Sequence, residues 1–215
     1  MPRHSILILL LAGAVPAKMV VIDRVAVVMG KRVIKASDIY RDVRVTEFLN
    51  RQPPDLSQDA RRKAAERLID QMIIRDEIQK GDYAPAGADQ VEAMLKQIRH
   101  ERFGDSDARL EQELSRYGLT EDQLRMELQW QFDVLTFIDQ RFRAGVLVTT
   151  DDVRSYYNQN LAKFQQAYPQ IKTFEAMEPK VRASLVGERL NQDFERWLKQ
   201  QRARNRIEYR QGAFQ

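Results

Sequence analysis

The sequence contains no cysteine, only two histidines, nine glycines and seven prolines among its 215 residues. The absence of cysteine excludes disulfide scaffolds, thiolate zinc sites, iron–sulfur clusters, cysteine nucleophiles and lipid attachment to cysteine. Two histidines are too few for a multi-histidine metal site, and so little glycine and proline excludes collagen-like and low-complexity chains. What the chain does have is 43% hydrophobic and 31% charged residues of mixed sign. This balance predicts a globular protein with a substantial core, and not a disordered tail or a polytopic membrane protein.

The first residues have the pattern of an export signal. Arg3 precedes an apolar run over residues 6–15, and the small residues Val15 and Ala17 have the spacing that a signal peptidase reads. The run is too short to span a bilayer, which requires about 20 apolar residues. We therefore expect cleavage after Ala17, export and no stable membrane insertion; an uncleaved N-terminal anchor is the alternative.

The formal net charge of +4 has its basic excess near the C-terminus. The residues concerned are Lys199, Arg202, Arg204, Arg206 and Arg210. Nucleic-acid binding would need aromatic stacking groups or a reading helix beside these charges, and the nearby Trp197 falls on an apolar seam. We interpret the charges as the solvated face of a helix and expect no nucleic-acid partner.

Hydrophobic periodicity and capping residues predict a mainly α fold with a small sheet. A β-branched run from residue 20, a turn at Gly30 and a return strand predict a hairpin that leads into a helix. Helices are predicted after Ser37, over residues 58–80, 88–103, 107–117 and 120–143, after Thr149, and over residues 175–204. A terminal strand at residues 207–209 would join the hairpin and bring the last helix back onto the first ones.

The helix predicted over residues 120–143 carries two apolar stripes. One contains Leu124, Leu128, Leu135, Ile138 and Phe142, and the other contains Trp130, Val134 and Phe137. A helix with two apolar stripes is either buried widely or offers one stripe to a partner. For the second stripe, the sequence does not decide between a place in the core and a binding surface. Met72 and Met94, on other helices, are predicted to be core.

The order of these elements resembles the SurA-like family of periplasmic chaperones. The resemblance is carried by residues 22–38, 65–74, 110–131 (with Tyr117-Gly118-Leu119), 150–157 and 181–209. It implies a periplasmic location and four parts. These are a signal peptide at 1–17, a SurA N-terminal-like domain at 18–164, a short linker at 165–174, and a closing helix and strand at 175–215.

The sequence departs from that family at the point where a parvulin isomerase domain would be inserted. Only residues 165–173 separate Phe164 from the returning helix, and no histidine follows His100. We therefore expect no isomerase activity and no catalytic residues; the alternative is a peptidyl-prolyl isomerase that works through a reduced site.

Little else in the sequence indicates catalysis or metal binding. His100 is interpreted as an exposed or capping histidine, and Asp151-Asp152 as acidic residues at a helix start. Asp105-Ser106-Asp107 begins like a calcium loop but lacks the glycine and the bidentate glutamate at the distances that such a loop requires, so it too is interpreted as a helix start. We expect neither a metal nor a cofactor.

The resemblance implies an ATP-independent holdase that binds unfolded polypeptides, above all outer-membrane proteins rich in aromatic residues. Such a chaperone requires an apolar groove with adaptable side chains. The candidate binding residues are Met126, Trp130, Val134 and Phe137. A dedicated assembly partner of one envelope protein is the third possibility, and a homodimer formed by segment exchange at the short linker stays open.

Overall fold

The computed structural model describes residues 23–214; the predicted signal peptide lies outside this range. Within 23–214 the chain is mainly helical and has a small antiparallel sheet, which confirms that part of the prediction. The elements are β1 (Val25–Met29), β2 (Arg32–Lys35), α1 (Ala36–Asn50), α2 (Gln58–Lys80), α3 (Ala88–Phe103), α4 (Asp107–Arg116), α5 (Glu121–Phe142), a 3-10 turn (Arg143–Gly145), α6 (Thr150–Gln159), α7 (Leu161–Ala167), α8 (Phe174–Arg204) and β3 (Ile207–Tyr209).

The sheet unites the two ends of the described chain in the order β2-β1-β3. Val28 of the central strand lies opposite Val33 on one side and Glu208 on the other, and both pairings are antiparallel. Gly30 adopts a φ of 60° in the hairpin turn, a conformation that glycine reaches without a steric cost. The prediction that the last strand joins the hairpin is confirmed.

Local capping chemistry explains where most of the helices begin. The Ser57 side chain accepts a hydrogen bond from the first turn of α2, and Thr120 with Gln123 forms a capping box at the start of α5. The prediction that Ser37 caps α1 is wrong. The helix already begins at Ala36, and Asp38 accepts a hydrogen bond from the Lys35 N–H at 3.0 Å.

Within residues 23–214, three clusters of buried side chains hold the helices together. The first core joins the sheet, α1, α2, α5 and the second half of α8, with Phe137 and Trp197 among its largest side chains. The second core joins the end of α1 to α3, α4 and the first half of α5 around Phe48 and Leu128. A third, smaller core packs α6 and α7 against the first half of α8. Helix α5 therefore contributes to two cores at once.

The segment predicted as a linker is partly helical and partly packed. Residues 165–167 belong to α7, and α8 begins at Phe174. Tyr168 and Ile171, in the connection, pack against the third core. The apolar residues here are too few and too widely spaced for periodicity to reveal this packing from sequence.

Among residues 23–214, no helix is long and apolar enough to cross a bilayer.

Candidate functional site

The structure separates the four residues that the sequence suggested for binding. Trp130 is 6% exposed and Phe137 only 1%, so both lie in the first core. Val134 is partly buried against the same core, whereas Met126 is 61% exposed. Of the two interpretations left open for the stripe of Trp130, Val134 and Phe137, the structure therefore has the core one, and these three candidate binding residues hold α5 against its neighbours.

The aromatic contacts of the stripe show how completely it is covered. The Arg75 guanidinium of α2 lies 4.0 Å from the centroid of the Trp130 ring, a cation–π contact. The Phe137 ring lies 5.0 Å from that of Tyr83 and 5.4 Å from that of Trp197 on α8, as measured between centroids. Periodicity shows that a stripe is apolar, but only the placement of α2 and α8 decides that it is buried.

The residues of the other predicted stripe of α5 lie in three places: the second core, the first core and the exposed surface. Leu124 and Leu128 lie in the second core, while Ile138 and Phe142 join the first. Leu135, in the middle of the same stripe, is 61% exposed. The uncovered apolar side of α5 is therefore the side that carries Leu135.

Leu135 lines an open groove of about 310 Å³ between the end of α1, the second half of α3 and the middle of α5, called here the α3–α5 groove. Its apolar lining consists of Leu49, Met94, Ile98, Leu128, Phe132 and Leu135. All of these except Leu135 belong to the second core or pack on its edge. The groove thus has a fixed floor, and the flexible, polarisable thioether of Met94 gives it one adaptable wall.

Two arginines, called here the arginine pair, stand at the edge of the α3–α5 groove. Arg51 follows the last residue of α1, and Arg102 lies in the last turn of α3. Arg102 is half-buried, and its guanidinium carbon lies 4.3 Å from the centroid of the Phe48 ring. Burial first, and then the like charge of Arg51, lowers the pKa of Arg102 below the usual arginine value. Within residues 23–214, neither arginine has a carboxylate ion-pair partner within 4.0 Å.

The backbone at Arg51 is held in an unusual conformation. Its φ of 59° lies in the left-handed region, where a residue with a Cβ costs about 1–2 kcal/mol more than glycine. The Gln52 N–H donates to the Glu47 carbonyl oxygen at 2.9 Å, which closes α1 in a Schellman-type turn. The Tyr117 hydroxyl donates to the Gln52 carbonyl oxygen at 2.8 Å and fixes this turn to the end of α4.

Met126 lines a separate, more polar cleft of about 250 Å³. In this cleft, burial raises the pKa of Asp42 and of Glu127. The Asp42 side chain is 6% exposed and accepts a hydrogen bond from Arg67 Nε at 3.0 Å. Asp42 and Arg67 therefore form an ion pair that joins α1 to α2. Because these charged side chains surround Met126, the cleft is a poor binding site for apolar polypeptide segments.

The remaining candidates from the sequence have local structural roles. His100 Nδ1 lies 2.8 Å from Asp105 Oδ2 on an exposed surface, and this hydrogen bond raises the pKa of His100. The Asp152 side chain accepts a hydrogen bond from the Thr149 N–H at 3.0 Å and completes the capping box of α6, so it lies at a helix start as predicted. Over the described residues 23–214, no group of three or more metal-ligating side chains is found.

Sequence reasoning missed the arginine pair and the role of Leu135. The available signal was a helix end without glycine, because Arg51 stands where a left-handed residue closes α1.

A scan against models of protein families finds no match to this chain, and a search of curated proteins finds none either. The likeness to SurA-type chaperones therefore remains a resemblance in the order of elements.

Proposed function

We propose that the protein is a periplasmic, ATP-independent holdase that binds apolar segments of unfolded proteins in the α3–α5 groove. The observation that carries the proposal is the open apolar lining around Leu135, which lies over the second core. Concave, mostly apolar surfaces of this size are the usual form of binding sites. The periplasmic location and the outer-membrane clients follow from the export pattern and the family resemblance described above.

The size of the groove predicts weak binding. A volume of about 310 Å³ accommodates one or two large side chains, each worth about 1.5–3 kcal/mol when it is fully buried. The loss of translational and rotational freedom opposes this gain by at least about 4 kcal/mol. Single segments therefore bind and leave readily, and a long unfolded chain is retained because several of its segments exchange at the groove.

The test is whether the purified protein (residues 18–215) suppresses aggregation of an outer-membrane β-barrel protein diluted from urea, without ATP. Leu135→Ser should reduce suppression, because it removes the most exposed apolar side chain of the groove. Met126→Ser is the matched control: Met126 is also 61% exposed on α5 but lines the polar cleft. Light scattering measures the aggregation, and circular dichroism verifies that both variants are folded.

Two results would contradict the holdase function, and a third would contradict the groove as its site. No suppression at molar excess by the folded protein would rule out a general holdase and favour a dedicated assembly partner, to be identified by pull-down. Catalysis of a proline-limited refolding reaction would show an isomerase instead. If only Met126→Ser reduced suppression, the holdase would stand but its site would move to the polar cleft.

A further inference from the structure

We propose that the arginine pair binds a chain-terminal carboxylate, so that the α3–α5 groove receives polypeptide C-termini that end in an apolar or aromatic residue. This inference rests on the proposed holdase function and specifies which part of a client the groove prefers. The juxtaposition that carries it is two arginines at the edge of an apolar groove that, within the described residues 23–214, have no carboxylate within 4.0 Å.

The electrostatics of the pair favour an anion. Arg102 is half-buried and its pKa is lowered in part by the charge of Arg51, so each cation raises the free energy of the other. The Glu113 carboxylate, which acts on Arg102 in the opposite direction, and the carbonyl ends of α1 and α3 offset some of this repulsion. A carboxylate between the two guanidiniums would relieve the rest, since arginine binds carboxylates through two parallel hydrogen bonds.

The backbone indicates that Arg51 is positioned for more than helix closure. Glycine would close α1 without a steric cost, yet arginine occupies the left-handed position. The turn is fixed on both sides, by the Gln52 to Glu47 hydrogen bond and by Tyr117. Strained backbone that its surroundings hold in place is typical of ligand-binding positions.

The arrangement fits a terminal carboxylate better than an acidic side chain. Arg51 and Arg102 line both the α3–α5 groove and an adjoining polar cleft of about 380 Å³. In a C-terminal residue, the carboxylate and the side chain leave the same Cα, so one group can meet the arginines while the other enters the groove. Glu101 lines both surfaces and disfavours a second negative charge on the ligand.

The experiment measures binding of three fluorescein-labelled octapeptides by fluorescence anisotropy. One ends in phenylalanine with a free carboxylate, the second is its C-terminal amide, and the third is an amide with an internal aspartate. We expect the amide to bind at least tenfold more weakly than the free acid, because charge-assisted hydrogen bonds are lost. The preference should decrease at high salt, and the third peptide should bind like the plain amide.

Two variants separate the roles of charge and apolar lining. Arg51→Gly should remove the preference for the free acid while leaving the melting temperature unchanged or raised, because glycine relaxes the left-handed position. Arg206→Gly is the control for loss of one positive charge, since its side chain is 87% exposed near β3; it should keep the preference. Leu135→Ser should lower the affinity for all three peptides by a similar factor.

The outcomes distinguish failure of this inference from failure of the holdase proposal. Equal binding of acid and amide, with both weakened by Leu135→Ser, would overturn the carboxylate preference and leave the holdase groove intact. Equal binding of the free acid and the aspartate peptide would show a general anion site, which also overturns it. Binding of none of the peptides would overturn the inference, and the aggregation assay would then show separately whether holdase activity exists.

Discussion

Replacement of Phe137 by alanine tests the assignment of the aromatic stripe on α5 to the core. The side chain is 1% exposed and contacts the rings of Tyr83 and Trp197. Removal of a buried phenylalanine costs about 3–5 kcal/mol through lost burial and the cavity left behind. We expect about 4 kcal/mol here, because the edge-to-face contact with Tyr83 adds to the burial. Domains of ordinary size have only about 5–15 kcal/mol of stability.

The matched variant is Leu135→Ala, two residues earlier on the same helix. Its side chain is 61% exposed, so its truncation should change the unfolding free energy by no more than about 0.5 kcal/mol. Urea denaturation followed by far-ultraviolet circular dichroism gives both values. A Phe137→Ala protein with wild-type stability and reduced suppression of aggregation would refute the reasoning, because it would make the stripe a binding surface.

Three further substitutions test other parts of the structure by the same urea denaturation. Arg67→Ala should lower stability by about 2–3 kcal/mol at pH 7, because it leaves the Asp42 carboxylate buried without its partner. Burial already raises the pKa of Asp42, so the proton taken up as pH falls removes the unpaired charge. The loss should therefore be smaller at pH 4 than at pH 7, and a loss independent of pH would contradict the assignment. Gly118→Ala should cost about 1–2 kcal/mol, since φ is 63° and the new Cβ would lie 3.0 Å from Arg44 Nη1; an unchanged midpoint would show that the turn relaxes. Ser57→Ala should cost about 1 kcal/mol through loss of the α2 cap, and no loss would show that the cap contributes nothing.

Features encoded by neighbouring residues could be predicted from the sequence. The hairpin turn at Gly30, the capping box at Thr120 and the helix end at Gly104 each depend on a few adjacent residues, and the structure has all three. The joining of β3 to the hairpin was also predictable, because a short apolar strand needs a partner. The start of α1 was misplaced by two residues, because the neighbouring polar side chains of Ser37 and Asp38 compete for the capping role.

The open and buried sides of α5 could not be predicted in this way. Leu135 and Phe137 have similar hydrophobicity and differ only in what the tertiary fold places against them. Phe137 faces Trp197, which is 60 positions later in the chain, while among residues 23–214 no helix covers Leu135. The arginine pair could not be predicted for the same reason: Arg51 and Arg102 belong to the ends of different helices, and only the tertiary fold brings them together.

The position of the groove on α5 has a consequence for how binding affects the fold. Trp130 and Phe137 fix one side of the helix to α2 and α8, and Leu128 fixes another side to the second core. Under the proposed function, a client at Leu135 would therefore meet a helix that is already held from two sides. Rigid surfaces of this kind lose little conformational entropy on binding. Selectivity must then come from the client, through its apolar side chains and, by our proposal, its terminal carboxylate.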